Sequence, residues 1–318
     1  MAIRRAVTGN AANPRLGYAL AALNMVISGA AIYVNSLGVR MFSDSTLYTA
    51  LKNSVVGIAF LVPFVFSGRS RADWRRLGAR EWLLLLTVSL IGGSVSYALY
   101  FRGLQLTTPV TASLVDHTQF LFVALFAALF IGERFGPAVW VALGALFAGV
   151  TLGISAGAVR LDAGMPFVAA ATLLFAADFV LMKYLLRSTS ALTVMTFKMT
   201  LGSLFLFLFV AATGRAGAIG QLSLLQWGFA GITGLILLAF SVTSVLGLRH
   251  ASATATTAIP AGSPIITTAL VIISRHVEIP PWRWLGLSLA LLAVLVVFIL
   301  GRRQEQGAMD AARPGDTR

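Results

Sequence analysis

Residues 103–143 read GLQLTTPVTASLVDHTQFLFVALFAALFIGERFGPAVWVAL, and residues 247–287 read GLRHASATATTAIPAGSPIITTALVIISRHVEIPPWRWLGL. A displacement of 144 residues sets Gly103-Leu104 on Gly247-Leu248, Pro137 on Pro281, Trp140 on Trp284 and Leu143 on Leu287. A displacement of 146 brings Leu51-Lys52 onto Phe197-Lys198. The matches fall in order and at nearly one offset, which marks an internal repeat of the kind that membrane proteins carry as weak symmetry.

Working outward, apolar windows bounded by Arg, Gly and Pro run near 16–36, 46–66, 81–101, 107–131 and 137–155 in the first copy. They run near 164–186, 191–212, 223–248, 252–274 and 281–301 in the second. Each window approaches the roughly 20 apolar residues that cross a bilayer. Five spans are an odd number, so the second copy enters the membrane from the opposite side. The expectation is an all-α integral membrane protein with ten transmembrane helices arranged as two inverted five-helix repeats. Its parts are a cytoplasmic N-terminal tail (1–15), a first repeat (16–155), a linker (156–163), a second repeat (164–301) and a disordered cytoplasmic tail (302–318).

Composition agrees. Of the 318 residues, 58% are hydrophobic and 11% charged, against about 25% charged in a soluble domain. The net charge of +13 is not a nucleic-acid signature, because the excess sits in short runs between apolar segments and at the two ends. With the N-terminus inside, the inner loops and tails hold 15 Arg and the outer ones six, in accord with the positive-inside rule. Both termini are then cytoplasmic, in the inner or plasma membrane of the cell. The basic loop from Ser67 to Arg80 reads first as an orientation signal. The first apolar stretch lacks a small-residue cleavage site, so it reads as a retained helix rather than a signal peptide. There is no Cys, which removes disulfides, thiolate metal sites and cysteine nucleophiles.

Gly132-Glu133-Arg134 closing the fourth span, Gly136-Pro137 opening the fifth, the stretch from Gly103 to Gly149, and a cation in the second span of each half resemble the EamA branch of the drug/metabolite transporter superfamily. The resemblance covers about residues 16–301. It implies exporters or exchangers of amino acids, metabolites or drugs, with a central cavity lined by the third, fourth, eighth and ninth spans. Two departures stand out: Lys occupies the second-span position where Arg is frequent in the family, and Arg275-His276-Val277-Glu278 ends the ninth span without a clean Gly-Glu.

All three Lys lie in apolar spans. Lys183 is near an inner helix end, from which it can snorkel to water. Lys52 and Lys198 lie deeper, where a charge needs a partner or a wet cavity. At about 1.5 Å rise per residue, Lys198 and Asp178 share a level in the inner half, and Lys52 and Asp116 share one in the outer half. Both pairs can form, either as permanent locks between helices or as a substrate or proton site. Asp116, His117 and Gln119 make the densest polar cluster in any span. Asp116 and His117 map onto Pro260 and Ala261 in the other copy, an asymmetry that suits a substrate group. They are neighbours on a helix, about 100° apart, so one faces packing, and His117 is the better core residue. Tyr97 and Tyr100 are further cavity candidates, with Trp227 and Phe240. The ninth span, dense in small residues, offers Thr256, Thr257, Pro260 and Ser263 as a cavity wall with freed carbonyls.

These readings point to a secondary transporter of small organic metabolites, an exporter working by alternating access around a midplane site, with proton coupling an option. No Walker motif or soluble nucleotide domain suggests ATP drive. The expected partners are the lipid bilayer and a small-molecule substrate, with no nucleic acid, cofactor or metal; a monomer suffices. The alternatives are an integral membrane enzyme using Asp116 and His117 as acid and base, and a non-transporting membrane subunit.

Overall fold

The computed structural model describes residues 13–132 and 162–275, together with part of 137–149 and of 285–299. Among the described residues eight helices are long and apolar enough to cross a membrane. They are α1 (Pro14–Met41), α2 (Ser45–Phe66), α3 (Ala79–Leu106), α4 (Pro109–Ile131), α5 (Met165–Leu185), α6 (Ala191–Ala212), α7 (Leu224–His250) and α8 (Ala253–Ser274). The expected spans 137–155 and 281–301, the linker and the two tails lie largely or wholly outside the described residues.

Most helix starts are written in the sequence. The side chains of Asn13, Asp44, Thr108, Ser190, Ser223 and Ser252 each accept a backbone N–H from the first turn of α1, α2, α4, α6, α7 and α8, satisfying donors that a helix N-terminus leaves open. Pro14 and Pro109 follow two of those caps, where a missing N–H costs nothing. The basic stretch after α2 is not a plain loop: Gly68–Arg75 forms a short helix, and Trp74 meets Trp82 edge-on.

The bundle reverses the soluble pattern. Ile58, Phe66, Leu83 and Leu129 are exposed, whereas Asn24, Asn53, Thr172, Ser241 and Thr254 are buried. With hydrocarbon as the surrounding solvent, apolar side chains gain nothing by hiding, and polar ones must find partners inside. They do. Asn24 Nδ2 on α1 reaches Thr243 Oγ1 (2.8 Å) and Ser244 Oγ (2.9 Å) on α7. Thr196 Oγ1 on α6 donates to Phe60 O on α2 at 3.1 Å, and Thr267 Oγ1 on α8 to Gly29 O on α1 at 2.9 Å. Such interhelical bonds contribute about 0.6 kcal/mol each. The principal packed pairs are α2 with α6, α1 with α7, and α3 with α5; α8 lies on α1 and α4 on α5.

α1 ends in a 3₁₀ turn at Val39–Met41, and three further helices depart from regular α geometry within their length. In α3, Ile91–Val95 is a π segment. In α4 the helix breaks at Thr118, where bonds from Thr118 N to Val115 O (3.1 Å) and Leu121 N to Thr118 O (3.0 Å) skip only three residues. In α8 Pro260–Gly262 is a 3₁₀ turn; Pro260 has no N–H to give.

Lys183 is partly exposed, and its Nζ donates to Leu248 O and Ala251 O, each at 2.5 Å, so it closes the C-terminal end of α7.

Candidate functional site

Helices α1 to α7 surround a central cavity with about 100 Å³ of space open to the centre of a water molecule. Ser28, Asn35, Lys52, Asp116, Gln119 and Lys198 form its polar wall, and Tyr97, Tyr100, Phe101, Phe175 and Phe179 much of its apolar one. A smaller chamber of about 40 Å³ adjoins it. Ser28, Asp116, Gln119, Phe179 and Phe240 line both spaces, while His117, Thr256, Thr257 and Pro260 line only the smaller. The broken middles of α4 and α8 thus face each other across the smaller chamber at Asp116.

Lys198 and Asp178 meet, as equal depth suggested: Lys198 Nζ lies 2.5 Å from Asp178 Oδ2, with 5% and 0% of their side chains exposed. The π segment of α3 makes room for the pair. A Cβ on Gly92 would lie 2.0 Å from Asp178 Oδ1, and one on Gly93 would lie 2.2 Å from Lys198 O. Only hydrogen fits in either place, so the extra residue in that turn and its two glycines let α3 close over the pair.

Lys52 and Asp116 do not pair. Lys52 Nζ donates to Asn35 Oδ1 at 2.8 Å and sits over the Phe101 ring, 3.9 Å from its centroid. Asn35 Oδ1 also accepts from Tyr48 Oη at 2.7 Å, and its own Nδ2 is held by Ala31 O at 2.7 Å. Lys52 is 1% exposed and has no carboxylate partner among the described residues. The expected pairing fails because α2 packs on α6, α7 and α3 rather than on α4, and because Lys52 is tied to Asn35 while Asp116 borders the smaller chamber, which Lys52 does not reach.

Asp116 lines the cavity with its side chain 18% exposed, and its carboxylate accepts no hydrogen bond among the described residues. Its nearest basic atom is His117 Nδ1, at 4.0 Å. His117 itself is buried. Nδ1 faces Ser113 O at 2.5 Å, so it carries the proton, and Nε2 takes the hydroxyl of Ser263 on α8. The ring ties α4 to α8, matching its expected role in packing, although one edge still borders the smaller chamber. Ser263 is a partner of that ring and lines neither space, contrary to the expected cavity wall.

Tyr97 and Tyr100 line the cavity. Tyr100 Oη and Gln119 Nε2 are buried without a hydrogen-bond partner among the described residues, which a native interior rarely leaves unexplained. Phe240 lines both spaces, while Trp227 is 45% exposed and lines neither. The expected third, fourth, eighth and ninth spans do contribute, as α3, α4, α7 and α8, but so do α1, α2, α5 and α6. Sequence reasoning missed Asn35 and Ser28. An uncharged amide in an otherwise apolar span was the available signal for Asn35.

An all-helical bundle with an apolar outside and buried polar side chains gathered around a central cavity defines a multi-pass membrane protein. The model of the EamA-like transporter family matches residues 15–154 and again 162–299, so two copies of one unit stand in tandem. The chain belongs to the EamA-like transporter family. A protein described as an uncharacterized transporter of Archaeoglobus fulgidus is 28% identical over 205 residues, which span 63% of this chain and 68% of that one. A protein of known crystal structure shares the fold with a TM-score of 0.66 at 20% identity, covering 92% of this chain and 98% of that chain.

Proposed function

We propose that this EamA-like transporter is a secondary exporter of small organic metabolites, an amino acid, amine or drug-like solute, which works by alternating access with proton coupling at Asp116. One observation carries the reading: an unpartnered carboxylate lines two adjoining chambers where the break in α4 faces the break in α8. Discontinuous helices around a midplane site are a recurring device of secondary transporters. A carboxylate bordering a wet space is placed to exchange a proton or a cationic group between two openings.

The proposal includes ten spans in two inverted repeats, cytoplasmic termini and a place in the inner or plasma membrane. The packing pairs support it. If α1 to α4 correspond to α5 to α8, exchanging the halves turns α1 with α7 into α5 with α3, and α4 with α5 into α8 with α1, all of them contacts of this bundle. An integral membrane enzyme with Asp116 and His117 as acid and base is less well supported, because both ring nitrogens of His117 are taken by Ser113 and Ser263.

The test is flux of labelled amino acids, amines and nucleosides in proteoliposomes, with and without a pH gradient. Wild-type protein should move at least one solute, and faster with the gradient. Asp116→Asn should lose the gradient dependence while eluting as a monodisperse peak in detergent. Gradient-driven flux at the wild-type rate in Asp116→Asn refutes coupling at this residue.

A further inference from the structure

Two charges on the cavity wall lack counterions within the described residues. Lys198 and Asp178 neutralise each other. Lys52 has only the neutral oxygen of Asn35 and the faces of Phe101 and Tyr48, and Asp116 has only the ring of His117 as near as 4.0 Å, with both ring nitrogens already engaged by Ser113 and Ser263. Buried charges of this sort are costly to leave uncompensated, and each points to a ligand group of opposite sign.

Their separation narrows the ligand. Lys52 is bound at Asn35 on α1, while Asp116 shares both chambers with Ser28 on the same helix, and its neighbour His117 bonds Ser263 of α8, whose backbone oxygen packs on Gly29 beside Ser28. At 1.5 Å rise, the interval from Ser28 to Asn35 sets the two levels about 10 Å apart. Charge-assisted contacts of about 2.8 Å at each end leave about 5 Å or a little more between the charges of the ligand. Between the two levels the wall is aromatic, with Tyr97, Tyr100, Phe101 and Phe179. An α-amino acid is too short to touch both ends. We infer that the cavity binds an elongated dipolar molecule, with a carboxylate or similar anion at Lys52, an ammonium at Asp116, and a short apolar chain between them. Naming this ligand as the transported solute rests on the function proposed above. Asn35 and Tyr48 act as positioning residues, holding Lys52 at its end of the cavity.

The experiment is calorimetric titration of purified full-length protein with the ω-amino acids from glycine to 8-aminooctanoate, and with hexylamine and hexanoate. An extended chain spans about 1.2 Å per bond, so affinity should peak at about three to five methylenes. Glycine, hexylamine and hexanoate should each bind at least about tenfold more weakly than the best member, since each loses one charged contact. Lys52→Met should bind the peak compound no better than hexylamine, and Asp116→Asn no better than hexanoate. Asp116→Glu, which keeps the charge and lengthens the side chain, should move the peak shorter by one methylene, a shift that a purely structural carboxylate would not produce. Lys52→Arg keeps a cation at the site if Lys52→Met fails to fold, and should retain the preference for a dipolar ligand. A flat dependence on chain length, no binding across the series, or hexylamine equal to the best ω-amino acid overturns the inference. The expected binding pattern without flux in proteoliposomes upholds the dipolar site and removes the transport reading; flux of other solutes with a flat series does the reverse.

Discussion

Replacing Lys198 by Met, or Asp178 by Asn, strands a buried charge. The two groups lie 2.5 Å apart with side chains 5% and 0% exposed, so either single change should cost roughly 3 to 5 kcal/mol. The double variant removes both charges and should regain most of that loss, which gives a coupling energy of about 3 kcal/mol or more. The same cycle on Lys52→Met and Asp116→Asn should behave differently. At a separation of about 10 Å, two unit charges interact by about 1.7 kcal/mol at an effective dielectric of 20 and by about 0.4 in water. A wet cavity between them lowers the expected coupling below about 1 kcal/mol. The assay is reversible unfolding in mixed micelles with rising SDS, followed by tryptophan fluorescence, for wild type, four single and two double variants. If the Lys198/Asp178 double variant is as unstable as the sum of its singles, the pair does not join α5 to α6. If the Lys52/Asp116 cycle couples as strongly as the other, the separation of the two charges is wrong.

Gly92→Ala puts a methyl group 2.0 Å from Asp178 Oδ1 and should cost about 1 to 3 kcal/mol or more as overpacking; Gly228→Ala, whose Cβ meets nothing within 4 Å, should leave the melting temperature unchanged. Ser263→Ala should lower stability by about 1 kcal/mol; His117→Ala should cost more, because it also loses the bond to Ser113 O and leaves a cavity, and adding Ser263→Ala to it should cost little further. Asn35→Leu removes a hydrogen bond to a charged group and should cost about 1.5 to 3 kcal/mol. Asn35→Asp should fold at least as well as wild type while weakening binding of the anionic ligand end, as calorimetry would show, because Lys52 then has a carboxylate of its own. Accessible tags inserted beside Arg76 and Arg215 should report opposite sides of the membrane in intact cells.

The parts of this molecule legible in its sequence are those where one residue type forces one outcome. Asn13, Asp44, Thr108 and Ser252 start helices because their short side chains cap free N–H groups. Lys198 and Asp178 could be matched because two buried charges at one depth have few other solutions. Lys52 defeated the same logic, since an amide oxygen and an aromatic face together hold an ammonium, and neither advertises itself in an apolar span. Proline announced the break in α8 at Pro260, whereas the matching break in α4 falls at Thr118, where nothing in local propensity demands it. The π segment at Ile91–Val95 was equally hidden; the close approach of Asp178 to Gly92 that goes with it is a contact made by tertiary packing alone.

The breaks in α4 and α8 also bear on how the bundle yields. An unbroken transmembrane helix resists bending because each bond of its ladder must be given up in hydrocarbon, where no water replaces it. At Thr118 the ladder is already rewired to shorter spans, and at Pro260 one donor was never present. Either helix can therefore flex at its midpoint with few further bonds to lose, like a beam with a joint built in. The cost of swinging one end then falls on side-chain contacts across the joint, and the hydrogen bond between His117 and Ser263 is one of them. A single hydroxyl on α8 thus sits where the two jointed helices would be latched together.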